Sequence, residues 1–313
     1  MAAPDPAEAA LPRDSARSAQ SADRPVPPWV WALCGAVPAL LYLFSAYPGL
    51  SSYRDSGDMA AGAWTLGVAH PPGYPFYVLA GRLWASLLPL GRVAYRLNAM
   101  RAAAGAAACA LAAAAASRAS EAALPRDNAR SAARVAAAAA TALLLAAAPA
   151  FWHLSLLSEM YALNALFAAA ILCLLVDDGC GRRGYWAAAL LFGLGTANHQ
   201  TLLALAPGAL LCAKGRLSRR GWAVLFAFFA LGLAVFLFLP LRSLGQPWLD
   251  WGDPETQEVA RRAVDLKQKI RGAGHRDVAT SLNTLSLVLR EAGAYSEARP
   301  FLEQAPAPDD DGE

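Results

Sequence analysis

Residues 214–241 read KGRLSRRGWAVLFAFFALGLAVFLFLPL. The first seven positions hold Lys214, Arg216, Arg219 and Arg220, and the next 21 positions hold no charged residue. An uncharged apolar run of this length is long enough to cross the hydrocarbon core of a bilayer as one helix. A short basic stretch beside such a run is typical of a loop held on the cytoplasmic side. We therefore interpret this stretch as a cytoplasmic loop followed by a membrane span.

The rest of the chain has the same character, since 57% of its 313 residues are hydrophobic and only 16% are charged. These proportions predict an all-α fold, a polytopic bundle of transmembrane helices that occupies residues 29–254. Together with 221–241, the apolar blocks give about seven spans, at roughly 29–47, 97–117, 132–151, 160–176, 185–198 and 200–213. The last two of these blocks are short, and a single long helix is the alternative to two crossings.

The block 74–90 is treated differently because it is short for a span and contains Pro75, Gly81, Arg82 and Pro89. We expect it to be a juxtamembrane segment that does not cross. With that assumption, the basic connections 118–131, 177–184 and 214–220 all face the cytoplasm. The prediction is a multi-pass protein of the inner or plasma membrane, with a cytoplasmic N-terminus and an extracytoplasmic C-terminus.

Composition also excludes some classes of function. The net charge of +3 is small, and no basic stripe interleaved with aromatic residues is present, so nucleic-acid binding is not expected. The five cysteines have no spacing typical of a zinc site or a disulfide framework. Residues 1–28 mix Ala, Pro and Ser with both signs of charge, which predicts a disordered cytoplasmic tail.

This topology places the unusual polar residues together on the external side. The first external loop, residues 48–75, carries four of them, and later external turns carry the others. Ionisable groups at a membrane edge are costly unless they are paired or used. The candidate site residues are Asp55, Asp58, His70, Tyr74, Glu159, Asn198, His199 and Arg242.

Each charged candidate has two interpretations. Asp55 and Asp58 are either helix-capping carboxylates of a solvated loop or general bases that take a proton from an acceptor hydroxyl. Arg242 either extends to the interface or binds a phosphate. Glu159 either pairs with a neighbouring span or binds substrate. For both histidines we favour hydrogen-bonded side chains over metal ligands, because no second ligand stands at a suitable spacing.

Several motifs resemble those of the protein O-mannosyltransferase-like GT-C membrane family, over about residues 29–254. They are Asp55-Ser56-Gly57-Asp58, Gly67-Val68-Ala69-His70-Pro71-Pro72-Gly73-Tyr74-Pro75, Arg96-Leu97-Asn98, Glu159-Met160-Tyr161-Ala162-Leu163-Asn164, Asn198-His199, Leu239-Pro240-Leu241-Arg242 and Trp251-Gly252-Asp253-Pro254.

The resemblance implies a GT-C glycosyltransferase that takes mannose or a related sugar from a polyprenyl-phosphate donor on the extracytoplasmic side. The acceptor it implies is a protein hydroxyl, and no cofactor or metal is expected. It makes Asp55 the first candidate base and Asp58 the second, although the family more usually has Glu at the second position. His70, His199 and Arg242 become candidates for stabilising the leaving phosphate.

The C-terminal segment is different in kind. Residues 255–305 resemble a kinesin-light-chain-type tetratricopeptide repeat, with small and apolar residues at the positions where paired helices meet. They form about one and a half repeats, fewer than a continuous core requires, and an acidic tail predicted to be disordered follows at 306–313. Such a segment either binds a protein acceptor or partner, or is a remnant of a fusion.

Two other functions stand beside the glycosyltransferase. The first is a catalytically inactive membrane scaffold that presents the repeat segment to protein partners. The second is a transporter, which the apolar spans disfavour because they show few charges and no inverted repeat.

Overall fold

The computed structural model describes residues 26–50, 55–123, 128–157, 159–177, 181–247 and 249–251, with isolated residues between 261 and 300. Within these ranges the chain is helical, and its extended pairing is one isolated parallel bridge between Val68 and Asp250. The prediction of an all-α fold is confirmed for this part of the chain. The predicted N-terminal tail, the acidic tail and nearly all of the repeat helices lie outside the described residues.

Eleven α-helices are described, and two short 3₁₀ segments at Gln200–Leu205 and Ala234–Leu237 connect the later ones. In chain order the helices are α1 (Pro28–Ser45), α2 (Ser56–Thr65), α3 (Pro75–Leu87), α4 (Val93–Ala123), α5 (Asn128–Ala147), α6 (Pro149–Leu156), α7 (Tyr161–Val176), α8 (Gly181–Thr196), α9 (Ala206–Ala213), α10 (Arg219–Leu233) and α11 (Phe238–Ser243).

Helix α4 is the centre of the bundle and packs against α1, α5 and α7. Its alanine-rich sequence is only weakly apolar, but small side chains let neighbouring backbones come close. Ala102, Ala106, Cys109 and Ala113 of α4 are all buried among these neighbours. The close approach of these neighbours therefore compensates for the weak hydrophobicity of the alanine-rich helix.

Three described helical segments are long and apolar enough to cross a membrane, namely Pro28–Ser45, Val93–Glu121 and Arg219–Ser243. A fourth span results if the bent pair Ser131–Ala147 and Pro149–Leu156 is counted as one. Large apolar side chains such as Phe44 and Leu144 are exposed on the bundle surface. A surface of this kind suits contact with lipid, and we conclude that the chain is a membrane protein.

One predicted apolar block is bent in the structure, and two neighbouring predicted blocks are separate. The block 132–151 bends by 66° between α5 and α6, where Pro149 has no backbone N–H to continue the hydrogen-bonding ladder of α5. The region 185–213 also forms two elements, because α8 ends at Thr196 and His199 is extended, with φ −160° and ψ 129°. The structure thus separates 185–198 from 200–213, and two membrane crossings in this region stay a prediction.

The bundle has two chemically different ends. At one end, Arg118 of α4 pairs with Asp177 after α7 (3.4 Å), and Arg134 of α5 pairs with Glu121 of α4 (3.1 Å). This end adjoins the basic connections 118–131 and 177–184. The candidate site residues meet at the opposite end, where α2, α3 and the turn after α8 come together.

Candidate functional site

Helix α2 and its N-cap carry both aspartates of the loop that was predicted to be external. Asp55 occupies the N-cap position, and its backbone carbonyl accepts the first hydrogen bond from the Met59 N–H at 2.9 Å. Its carboxylate makes no capping hydrogen bond. Asp58 lies in the first turn of the same helix, but its carboxylate is directed to residues beyond the helix. The helix-capping interpretation of these two side chains therefore does not describe the structure.

Asp58 and His70 form a close pair. The Nδ1 atom of His70 lies 2.6 Å from Oδ2 of Asp58, and the backbone N–H of His70 donates to the same oxygen at 3.3 Å. A carboxylate accepts hydrogen bonds, so this contact places the proton of His70 on Nδ1. The other ring nitrogen, Nε2, lies 3.7 Å from Oδ2 of Asp55.

The two carboxylates differ in exposure as well as in partners. The Asp58 side chain is 12% exposed and that of His70 is 10% exposed, whereas the Asp55 side chain is 40% exposed. Asp58 is thus engaged inside the protein. Asp55 lies at the edge of the site, where a substrate hydroxyl can approach it.

The residues that follow α11, at 244–247 and 249–251, close the other side of the site, and we call them the strap. The backbone N–H of Val68 donates to Leu249 (2.7 Å), and that of Trp251 donates to Val68 (3.4 Å). Gly67 permits this approach, because a Cβ atom at that position would lie 2.7 Å from the Leu249 carbonyl oxygen. Through these bonds the strap brings the Trp251 indole to the site, where Nε1 donates to Oδ1 of Asp58 at 2.6 Å.

Arg242, in the last turn of α11 just before the strap, holds the end of α2. Its Nε donates to the Leu66 carbonyl at 2.6 Å, and its Nη2 donates to the Thr65 carbonyl at 3.4 Å. The last carbonyls of a helix have no partner within that helix, so a guanidinium at this place satisfies them. The contact fixes the loop that leads from α2 to His70.

Aromatic rings line the space between His70 and His199. The ring of Tyr74 meets the edge of His70 at a centroid distance of 4.9 Å and stacks on His199 at 6.0 Å. Tyr161 also contacts His199, at 5.3 Å. The Nδ1 atom of His199 accepts from the Thr201 N–H at 3.2 Å, which leaves Nε2 as the protonated nitrogen of the neutral ring.

Beneath these rings lie the buried polar residues Asn198, Glu159 and Arg101. The Nδ2 of Asn198 donates to the Met160 carbonyl at 3.1 Å, which joins the turn after α8 to the start of α7. Arg101 of α4 is fully buried, donates to the backbone carbonyl of Glu159 and lies over the ring of Tyr77 at 4.4 Å. A buried guanidinium is costly in a low-dielectric interior unless hydrogen bonds and neighbouring groups compensate.

The pKa values of the two histidines are shifted in opposite directions. Burial lowers the pKa of His70, but the hydrogen bond to Asp58 and the charges of Asp58, Asp55 and Glu159 outweigh it and raise the pKa above its usual value. Burial lowers the pKa of His199. His70 is therefore the more readily protonated of the two imidazoles, and His199 is the neutral one near pH 7.

The structure brings the candidate residues into one region, as the predicted topology required. Asp55, Asp58, His70, Tyr74 and His199 form a continuous series of contacts. Asn198 and Glu159 lie behind the series, and Arg242 lies behind α2. In the described part of the chain, no group of three or more His, Cys, Asp or Glu side chains is placed to hold a metal ion.

Sequence reasoning gave no role to Arg101, Tyr161 or Trp251. For Arg101 a signal existed, since an arginine within an alanine-rich helix of a membrane protein needs a buried partner. Trp251 stands in one of the motifs quoted above, but its partner could not be predicted, because Asp58 lies 193 positions earlier in the chain.

Comparison with known proteins gives two family matches. Residues 55–220 match the family described as the Protein O-mannosyl-transferase TMEM260 N-terminal domain. Residues 253–305 match the tetratricopeptide repeat, which confirms the resemblance of the C-terminal segment. No solved structure matches the chain.

Two relatives carry the same name as the first family. Mouse (Mus musculus) Protein O-mannosyl-transferase TMEM260 is 31% identical over 219 residues, which cover 64% of this chain and 29% of the mouse protein. The Dictyostelium discoideum protein of that name is 32% identical over 69 residues, which cover 21% of this chain and 8% of the relative. The chain thus spans less than a third of the length of the mouse protein. Because the family match covers more than half of the chain and begins at Asp55 itself, this protein belongs to the family of the Protein O-mannosyl-transferase TMEM260 N-terminal domain.

Proposed function

We propose that this chain is a membrane glycosyltransferase that moves mannose or a related sugar from a polyprenyl-phosphate donor to a protein hydroxyl. The relatives' printed name supports the reaction class. The observation that carries the proposal is the division between the two aspartates. One is buried and bound to His70 and Trp251, and the other is 40% exposed beside the same histidine.

In this reaction Asp55 acts as the general base. The acceptor hydroxyl gives its proton to the Asp55 carboxylate as its oxygen attacks the anomeric carbon of the sugar, and the bond from that carbon to the phosphate oxygen breaks. A base must be within hydrogen-bond reach of the proton that it takes. Asp55 meets this requirement better than Asp58, whose oxygens are already bound to His70 and Trp251.

His70 stabilises the leaving phosphate. The pKa of His70 is raised by the neighbouring carboxylates, which favours the imidazolium form. A cationic donor near the phosphate oxygen stabilises the charge that develops there as the sugar leaves. His199, with its lowered pKa, acts instead as a neutral hydrogen-bond donor to the substrate through Nε2.

The remaining candidates support this arrangement. Tyr74 lies between the two histidines and contributes an apolar wall for the sugar. Burial and the nearby carboxylates raise the pKa of Tyr74, so its hydroxyl stays neutral. Asn198 joins the turn after α8 to the start of α7 beneath the rings, and the Glu159 carbonyl accepts from Arg101 of α4. The contacts of Arg242 with Leu66 and Thr65 favour positioning of α2 over phosphate binding.

The repeat segment serves the acceptor protein. The tetratricopeptide match begins at residue 253, two residues after Trp251. Because so few residues separate the match from Trp251, we propose that the repeat acts near the site. A protein bound to the repeat would therefore have its hydroxyl side chains close to Asp55.

A panel of donors tests the proposed reaction. Membranes that contain the chain are incubated with radiolabelled mannose supplied either as polyprenyl-phosphate-mannose or as the nucleotide sugar, with lipid-donor synthesis blocked. We expect protein-bound label from the lipid donor and none from the nucleotide sugar. Label from the nucleotide sugar alone would contradict the lipid donor.

The second candidate is the inactive scaffold, which the tetratricopeptide match favours. It predicts no label from any donor sugar, together with stable binding of a protein partner through residues 253–305.

A further inference from the structure

Trp251 contacts both members of the Asp58–His70 pair. The residue is buried, its indole Nε1–H donates to Oδ1 of Asp58 at 2.6 Å, and its ring meets the edge of His70 at 5.4 Å. The strap holds its backbone in place through the bridge between Val68 and Asp250. Ser243 supports the strap by donating to the Asp250 carboxylate at 2.6 Å.

The indole completes the set of donors around Asp58. Oδ2 accepts from His70 Nδ1 and from the His70 backbone N–H, and Oδ1 accepts from Trp251. A carboxylate held at both oxygens cannot rotate about its Cβ–Cγ bond without losing a hydrogen bond. If the indole donor is removed, Oδ1 is freed and the orientation of the Asp58–His70 pair is less defined.

We propose that Trp251 is a positioning residue, which fixes the Asp58 carboxylate so that it serves only His70 and leaves Asp55 as the carboxylate that meets the substrate. This inference rests on the function proposed above, because the effect of the positioning is measured as the rate of sugar transfer. Trp251 lies outside the residues 55–220 that match the family. Apart from Arg242, the other candidate site residues all lie within 55–220, so the strap adds Trp251 to them from outside the matched range.

The first test is independent of activity. The full chain, labelled with ¹⁵N-tryptophan, is placed in lipid nanodiscs, and its nine indole N–H signals are recorded. The signal that is missing in Trp251→Phe belongs to Trp251. We expect Asp58→Asn to move that signal and Asp177→Asn, at the opposite end of the bundle, to leave it in place. A Trp251 signal that does not respond to Asp58→Asn would overturn the proposal.

The second test uses a matched pair of tryptophans. Trp251→Phe keeps an aromatic ring and removes only the hydrogen-bond donor. Trp186→Phe is the control, because the buried Trp186 Nε1 makes no hydrogen bond among the described residues. We expect Trp251→Phe to lower kcat about tenfold, the scale of one hydrogen bond to a charged group, with the KM for the donor within about twofold. Trp186→Phe should transfer at the wild-type rate.

A double-mutant cycle separates positioning from general packing. If Trp251 acts through Asp58, Trp251→Phe causes no further loss of kcat in the Asp58→Asn background. An equal loss in both backgrounds, or a wild-type kcat for Trp251→Phe, would overturn the proposal.

If the wild-type chain transfers no sugar, the proposed function fails and the indole signal alone decides the inference. If Asp58→Asn does not fold, the comparison of Trp251→Phe with Trp186→Phe decides it.

Discussion

Asp55 and Asp58 show how the same residue type takes two different roles within one turn of helix. Three positions separate them in sequence, yet one carboxylate is 40% exposed and the other 12%. The difference arises from His70, twelve residues later, and from Trp251 on the strap. The sequence predicted that both aspartates would lie at the site. It did not distinguish their environments, because the residues that do so are distant in the chain.

The raised pKa of His70 predicts that the thermal stability of the protein depends on pH. Asp58, Asp55 and Glu159 raise the pKa of His70, and the uncharged Tyr74 and Trp251 rings complete its surroundings. The protonated ring therefore stabilises the folded state fully below its ordinary pKa of about 6.5, and this contribution is lost as the pH rises through the raised value. His70→Gln removes the contribution. We expect the difference in Tm between wild type and His70→Gln to be largest near pH 5.5 and to narrow toward pH 9.

This prediction is checked by thermal unfolding of both proteins in detergent across that pH range. A difference in Tm that stays constant with pH, or that grows at alkaline pH, would show that the carboxylates do not raise the pKa of His70.

At the scale of the helices, the crossing of α8 and α10 depends on two glycines that face each other. A Cβ atom on Gly193 would lie 2.2 Å from the Phe229 carbonyl oxygen, and one on Gly232 would lie 2.5 Å from the Leu190 carbonyl oxygen. The neighbours are backbone atoms, which cannot move aside as side chains do. Small residues at such a crossing allow the backbones to approach, as in other membrane helix pairs.

We expect Gly193→Ala and Gly232→Ala each to destabilise the protein by about 1–3 kcal/mol, the usual cost of inserting a methyl group into a filled space. Gly208 of α9 is the control, because a Cβ there meets nothing within 4 Å. Thermal unfolding in detergent should show a lower Tm for the first two variants and an unchanged or higher Tm for Gly208→Ala. Equal Tm values for all three variants would contradict the close crossing.

A hydropathy pattern does not predict where an apolar helix bends or which partner a buried charge meets. The apolar blocks located the helices, but not the bend at Pro149, because the block continues to residue 151 without a change in polarity. The proline itself was the available signal. The burial of Arg101 beside Glu159 had a weaker signal, since a sequence shows a charge within a helix but not the partner that it meets.

For the whole molecule, the separation of the two ends of the bundle predicts that they face opposite sides of the membrane. If the basic connections face the cytoplasm, the Asp55 end faces the other side of the membrane. Single cysteines test this arrangement in a Cys180→Ser, Cys212→Ser background. Arg92→Cys, in an exposed turn before α4, should react with an impermeant maleimide in intact cells. Lys214→Cys, in the basic loop after α9, should react only after the cells are permeabilised.

The opposite labelling pattern would place the Asp55 end in the cytoplasm and would contradict the extracytoplasmic reaction. Labelling of both positions in intact cells would contradict the assignment of these loops to opposite sides.

The all-α class and the apolar helices could be predicted from the sequence, because apolar blocks and polar turns each leave a local pattern. The gathering of Asp55, His70 and His199 at one end followed from the order of those patterns. The hydrogen bonds within the site did not, since they depend on how α2, the strap and the turn after α8 pack together. The position of Trp251 could not be predicted either, because it depends on the contact between the strap and the loop after α2.

The central claim, that Asp55 is the base of a sugar transferase, is tested most directly by one comparison. Membranes that contain wild-type chain, Asp55→Asn or Asp177→Asn in equal, inserted amounts are supplied with radiolabelled polyprenyl-phosphate-mannose, and label in protein is counted. We expect label with wild type and with Asp177→Asn, and a loss of at least about 100-fold with Asp55→Asn, the scale of general base catalysis. Transfer by Asp55→Asn at the wild-type rate would remove Asp55 from the catalytic role.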